Sequence, residues 1–250
     1  MTVVAFKGWL APAALLVAVL TGCGPGAPAV LTPEQVPAAF LALTAKPDRT
    51  VHVEWHGTAT FAGGAAQAFD ASFDLAGADY AGSISNPDDS MGKPGVTMAI
   101  ELAAVNGQGY ERGPGETIWQ RLPTLPRTVD PLFGLAAADI SYVGQEVRNG
   151  QDVHHLRVRN FEPLVSGLSA ALFMGTPEGM GETFDEQGSA FDVWTDTAGR
   201  PTEAAVEVKP GEVVFAGFSM SATYLFTNWN AEIYIVPPQT SRGEEGFPQP

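Results

Sequence analysis

The 250-residue chain has a single cysteine, Cys23. No disulfide can therefore form within it, and its fold rests on burial and hydrogen bonding alone. Positive charge is also scarce: 13 Lys and Arg stand against 28 Asp and Glu, for a net charge of −15. Such a surface repels polyanions, which argues against nucleic acid as a partner and makes anionic lipid headgroups poor electrostatic partners. The leading apolar run, Trp9 to Leu20, is interrupted by Pro12. It falls short of the roughly 18 to 20 apolar residues that a membrane-spanning helix needs. The chain also lacks a G-x-S-x-G elbow, a P-loop, an H-E-x-x-H pair and a cysteine metal site.

The N-terminal segment has Lys7, then the apolar run, then small residues before Cys23. That is the three-part layout of an export signal. The residues Leu20-Thr21-Gly22-Cys23 resemble the lipobox of bacterial lipoproteins. The resemblance implies cleavage before Cys23 and attachment of acyl chains such as palmitate to its thiol and amine. Two or more chains anchor stably where one is marginal. Residues 1–22 are then a signal peptide, and losing Lys7 with them takes the net charge to −16. The remaining length suits one domain with a sizeable core.

Residues 23–31 include the Gly/Pro-rich stretch GPGAPAV, which reads as an extended tether. The following TPEQVPAAFLALTA has Thr32 and Gln35 at capping-box spacing and Val36, Ala39, Phe40 and Leu43 along one helical face. Pro37 disturbs its first turns and Pro47 stops it. From Thr50 the apolar period becomes two. Val51, Val53 and Trp55 alternate with polar residues, as do Phe69, Ala71, Phe73 and Leu75, and then Val96, Met98, Ile100 and Leu102. Asn106-Gly107 and Asn149-Gly150 mark two-residue hairpins. AFDVWTDT, PTEAAVEVKP and GFSMSATYLFTNW add further strands, giving a large antiparallel sheet. Helical spacing interrupts the strands at 130–138, capped by Asp130, and at 161–173. The acidic, glycine-rich segment between Met174 and Gly188 reads as a surface loop or a flap, and residues 239–250 as a disordered tail.

Four histidines invite a metal test. His52 and His56 share a strand face but stand about 13 Å apart at roughly 3.3 Å per residue, too far for one ion. His154 and His155 point to opposite faces. Asp88-Asp89 and the acids Glu182, Asp185 and Glu186 lack the spacing of a calcium loop. No nucleophile has a base beside it in sequence. The reading is therefore a binding protein with no catalytic residue, no metal and no cofactor.

In order along the chain, the lipobox, tether and helix lead into RTVHVEWHGTAT, GQEVRNGQDVHHLRV, FDVWTDTAGRPTEAAVEV and YLFTNWNAEIYIVPP. This order resembles the LppX/LprG-type bacterial lipoproteins, which are similar to the LolA and LolB carriers. The resemblance implies an α+β, mainly β fold over residues 32–238: one antiparallel sheet curled into an unclosed half-barrel, with helices on the concave side. It implies a lipid or glycolipid ligand in an apolar cavity, membrane attachment through the N-terminal acyl chains at the outer face of the cytoplasmic membrane, and an envelope transport protein as partner. Given that fold, strand alternation nominates Phe69, Phe73, Met98, Ile100, Leu156, Val206, Met220, Ala222 and Tyr224 as the lining. Asp70, Asp74, Glu101 and Glu207 fall on the other face. The alternative is a tethered sensor or scaffold whose interior is filled by its own side chains and whose outer face binds a protein.

Overall fold

The structure is a computed structural model that describes residues 30–60, 65–86, 98–123, 129–132, 135, 139–159, 190–209 and 219–240. Cys23, the expected helix at 161–173, the acidic loop and most of the expected helix at 130–138 lie outside the described residues.

The chain enters through a turn in which the Thr32 N–H donates to Gln35 Oε1 at 3.0 Å, half of the capping box that the spacing suggests. Helix α1, Val36–Thr44, follows with Pro37 in its first turn, where a missing N–H costs nothing. It buries Val36 and Phe40 in the main core. It is the one helix among the described residues.

Eleven strands follow, in one sheet. They are β1 (Thr50–Thr60), β2 (Gln67–Ala76), β3 (Asp79–Asn86), β4 (Met98–Val105), β5 (Gln108–Arg112), β6 (Gln120–Arg121), β7 (Asp139–Arg148), β8 (Gln151–Arg159), β9 (Ala190–Thr195), β10 (Pro201–Val208) and β11 (Ser219–Thr227). Their spatial order is β6-β5-β4-β3-β2-β1-β11-β10-β9-β8-β7. Two meanders, β1–β6 and β7–β11, are thus stitched together where β1 pairs with β11, and every strand pairing is antiparallel. Strands β6 and β7 end the order without pairing with each other, so the sheet is an unclosed half-barrel.

Both Asn-Gly pairs do what their chemistry suggests. Asn106 and Gly107 have φ of 51° and 77°, Asn149 and Gly150 of 52° and 77°. Two successive positive φ values are what the tight turn between twisted strands requires. A register shift between Tyr142 and Gly144 interrupts the β7–β8 ladder at Val143. Strand β3, with Gly82 amid small and polar residues, is an addition to the strands that alternation alone reveals.

Candidate functional site

Alternation places side chains from most strands on one apolar face, and the register aligns them across the sheet. Starting from Ile100 on β4, successive cross-strand partners are Ile84, Ala71, Trp55, Tyr224, Ala204, Val193, Leu156 and Tyr142. This row crosses nine strands without a charged residue. Its middle members, from Ala71 to Leu156, are buried, while Ile84, Ile100 and Tyr142 are partly buried against the same cluster.

An aromatic ladder runs through the centre of this face. Tyr224 meets Trp55 edge-on with ring centroids 5.6 Å apart. Trp55 meets Phe73 at 5.6 Å, and Phe73 meets Tyr80 edge-on at 5.9 Å. The four rings come from β11, β1, β2 and β3, and such tilted contacts match the charge distribution of aromatic faces and edges.

The polar tips of that ladder have nowhere to go. Trp55 Nε1, Tyr80 Oη and Tyr224 Oη are buried without a hydrogen-bond partner among the described residues. Burial pushes the pKa of the Tyr80 phenol up and that of Tyr224 well above the ordinary range, so both remain O–H donors. A second group lies on the same face: His154 Nε2 and Thr195 Oγ1 are also unpartnered and belong to register partners on β8 and β9. The other His154 ring nitrogen, Nδ1, is 3.2 Å from the Tyr142 hydroxyl. Buried polar atoms in folded proteins are nearly always satisfied, so this concentration on one face marks it as unusual.

Of the residues nominated from sequence, Phe69, Phe73, Leu156, Val206, Met220, Ala222 and Tyr224 lie in the buried cluster of this face, with Ile100 packed partly buried against it. The backbone of Met98 starts β4 opposite Asn86; its side chain lies outside the described residues. Trp55, Tyr80, His154 and Thr195 belong with the candidate site as well. The alternation of Val51, Val53 and Trp55 places Trp55 on the apolar face; Tyr80 lies on β3, whose alternation Gly82 interrupts.

The opposite face carries the charges. His52 Nδ1 lies 2.7 Å from Asp74 and His56 Nδ1 lies 2.8 Å from Asp70, each a cross-strand partner. Glu101 pairs with Arg112 and Glu207 with Lys209. The densest group surrounds His155, whose Nδ1 is 2.7 Å from Glu146 and whose Nε2 is 2.8 Å from Asp192. His155 stacks on Trp194 at 4.9 Å, and the Arg148 guanidinium covers that indole at 3.7 Å. Arg157 grips both Asp192 oxygens, at 2.9 and 3.0 Å. Burial pushes the Asp192 carboxyl up, but hydrogen bonds from Arg157 and His155, with their charges, outweigh it and hold it below the usual carboxylate range. His154 and His155 thus occupy opposite faces, and His155 is held by two carboxylates.

A buried ion pair fastens the chain near the end of α1. Arg49 binds Asp130 and donates to the carbonyl of Thr44, while Asp130 Oδ1 accepts the Leu132 N–H at 2.9 Å. That last bond closes a side-chain turn over two residues; most of the helix that Asp130 is expected to cap lies outside the described residues. Burial raises the Asp130 carboxyl despite the charge of Arg49. No helix among the described residues is long and apolar enough to cross a membrane.

No protein-family model matches the chain, and no curated protein sequence does either. Solved structures do. A LolA superfamily protein from Nitrosomonas europaea is similar at 7% identity and a TM-score of 0.31, covering 82% of this chain and 96% of its own. A Vibrio parahaemolyticus domain assigned to outer membrane lipoprotein sorting is similar at 10% identity and a TM-score of 0.29, covering 79% of this chain and 92% of its own. A chain in the structure of the Pseudomonas aeruginosa MucA/MucB complex is similar at 13% identity and a TM-score of 0.33, with the match covering 80% of this chain and 58% of that chain. These identities and TM-scores are low, and the functional reading rests on the residues of the sheet.

Proposed function

We propose that this protein is an exported, membrane-anchored lipoprotein of the LppX/LprG type that binds a lipid or glycolipid on the apolar face of its half-barrel and carries it through the cell envelope. The observation that supports this is the uncharged row from Ile100 to Tyr142, which spans nine strands of an unclosed sheet. Acyl chains are the ligand such a face suits. Exposing a methylene to water costs about 0.8 kcal/mol, so one long chain crossing an aqueous space needs on the order of 10 kcal/mol of cover. An apolar protein interior supplies that cover, and because it resembles the bilayer in polarity the exchange is nearly balanced. Direction then comes from partners or flux rather than from a driven step.

In this reading Cys23 carries the anchor and the GPGAPAV stretch spans the gap between membrane and domain, which begins at Leu31, where the backbone N–H donates to the Thr197 carbonyl at 3.0 Å. The negative charge of the chain keeps it off anionic surfaces, so attachment falls to the acyl chains. No residue is assigned a catalytic role. Transfer between vesicles tests the proposal. Donor vesicles carry a fluorescent diacyl lipid with a quencher, and acceptors carry neither. Adding the protein should accelerate dequenching in proportion to its concentration, and transfer no faster than the spontaneous rate would overturn the proposal.

A further inference from the structure

The ladder on the apolar face has more polarity than packing requires. Phe73 sits between Trp55 and Tyr80 and shows that a plain phenyl ring fits there. Phenylalanine at 80 or 224 would keep the ring contacts and avoid the cost of stranding a buried hydroxyl. Both positions hold tyrosine, and Trp55, on the same face, adds a third unpartnered donor, its indole N–H. Tyr224 and Trp55 are direct cross-strand partners, so two of the three unpartnered donors are neighbours.

The geometry points to Tyr224, Trp55 and Tyr80 as hydrogen-bond donors to carbonyl oxygens of the bound lipid, making this face selective for ester-linked acyl lipids over hydrocarbon chains of equal length without carbonyls. This rests on the reading of the face as lipid-binding and adds to it the linkage chemistry and the residues that select it. Indole N–H groups only donate, and neutral phenols donate readily; an ester carbonyl accepts well, whereas an ether oxygen is a poor acceptor. Each bond gained by the ester and absent from the ether contributes a modest net preference, about threefold to tenfold.

The test sets dipalmitoylglycerol against its diether analogue, dihexadecylglycerol, presented to the purified protein in equal amounts. Native mass spectrometry reads the ratio of the two complexes. The wild type should favour the ester by at least about threefold. Tyr224→Phe should reduce that ratio, and Tyr224→Phe with Tyr80→Phe should reduce it further, to about the threefold to tenfold that Trp55 alone supplies, with no fall in the melting temperature. Equal binding of ester and ether by the wild type would overturn the inference and leave lipid carriage standing. A preference as large in the double variant as in the wild type would overturn it too, and would mean that the hydroxyls meet something other than the ligand, such as a buried water. Binding of neither lipid would overturn carriage itself, and this inference with it.

Discussion

Phe73 on β2 closes over Gly82, its register partner on β3. A β-carbon on Gly82 would stand 2.6 Å from Phe73 Cδ1 and 2.0 Å from the backbone oxygen of Ser72. The same device recurs one strand away: Phe69 pairs with Gly57 on β1, where a β-carbon would meet Phe69 Cζ at 2.5 Å and the Ser221 carbonyl oxygen at 2.6 Å. An aromatic ring over a cross-strand glycine lets neighbouring strands bend toward each other. The glycines and the phenylalanines together make room for the curl of the sheet.

Gly57→Ala and Gly82→Ala should therefore each destabilise the fold by about 1–3 kcal/mol, because backbone atoms must shift to admit the methyl group. Gly144→Ala is the control, since a β-carbon there meets nothing within 4 Å. Thermal unfolding of the three variants separates them. Equal melting temperatures would mean that the two crowded glycines do not set the strand approach.

The Asp192 cluster gives stability a pH dependence of known sign. Its folded-state carboxyl titrates below the usual range, so its contribution is full above the unfolded-state value and is lost as pH falls through the folded one. The gap in urea midpoint between the wild type and Asp192→Asn should be widest near neutrality and narrow in strong acid. A gap that widens on acidification would contradict this assignment.

His52 and His56 form partly exposed cross-strand pairs with Asp74 and Asp70, and such pairs contribute about 0–1 kcal/mol. His52→Gln and His56→Gln should leave lipid binding intact and the melting temperature close to that of the wild type. His155→Phe should be far more damaging, because it leaves Glu146 and Asp192 without their shared donor. Loss of lipid binding in either exposed variant would reopen the search for a metal among the histidines.

Cys23→Ser should move the protein in its native host from the membrane fraction to the soluble or unprocessed fraction. Immunoblots of fractionated cells make the comparison, and unchanged membrane partitioning would remove the anchor from the account.

Much of this architecture was legible in the sequence because it depends on local periodicity. The alternation in β1, β2 and β11 reported which residues share a face, and the two Asn-Gly pairs reported where the chain reverses. Strand β3 was harder: its Tyr80, Gly82 and Ile84 face inward, and the glycine breaks the apolar alternation at the point where Phe73 crosses it. The Gly57 and Gly82 crossings depend on pairing between strands, which spacing along one strand does not reveal. The donors of Trp55, Tyr80 and Tyr224 were visible as residue types, but whether a polar tip finds a partner depends on neighbours distant in sequence. The same holds for His155, whose two carboxylates come from β7 and β9.

The central claim, that the apolar face holds a lipid, is tested most directly by native mass spectrometry of the protein extracted gently from its own host membranes. The account predicts a species heavier than the processed chain by the mass of a lipid, which dissociates on collisional activation and is identified as a lipid in the released fraction. Recovery of the chain only at its own processed mass, with no lipid released under conditions that preserve a control carrier complex, would contradict the account and favour a tethered protein-binding scaffold.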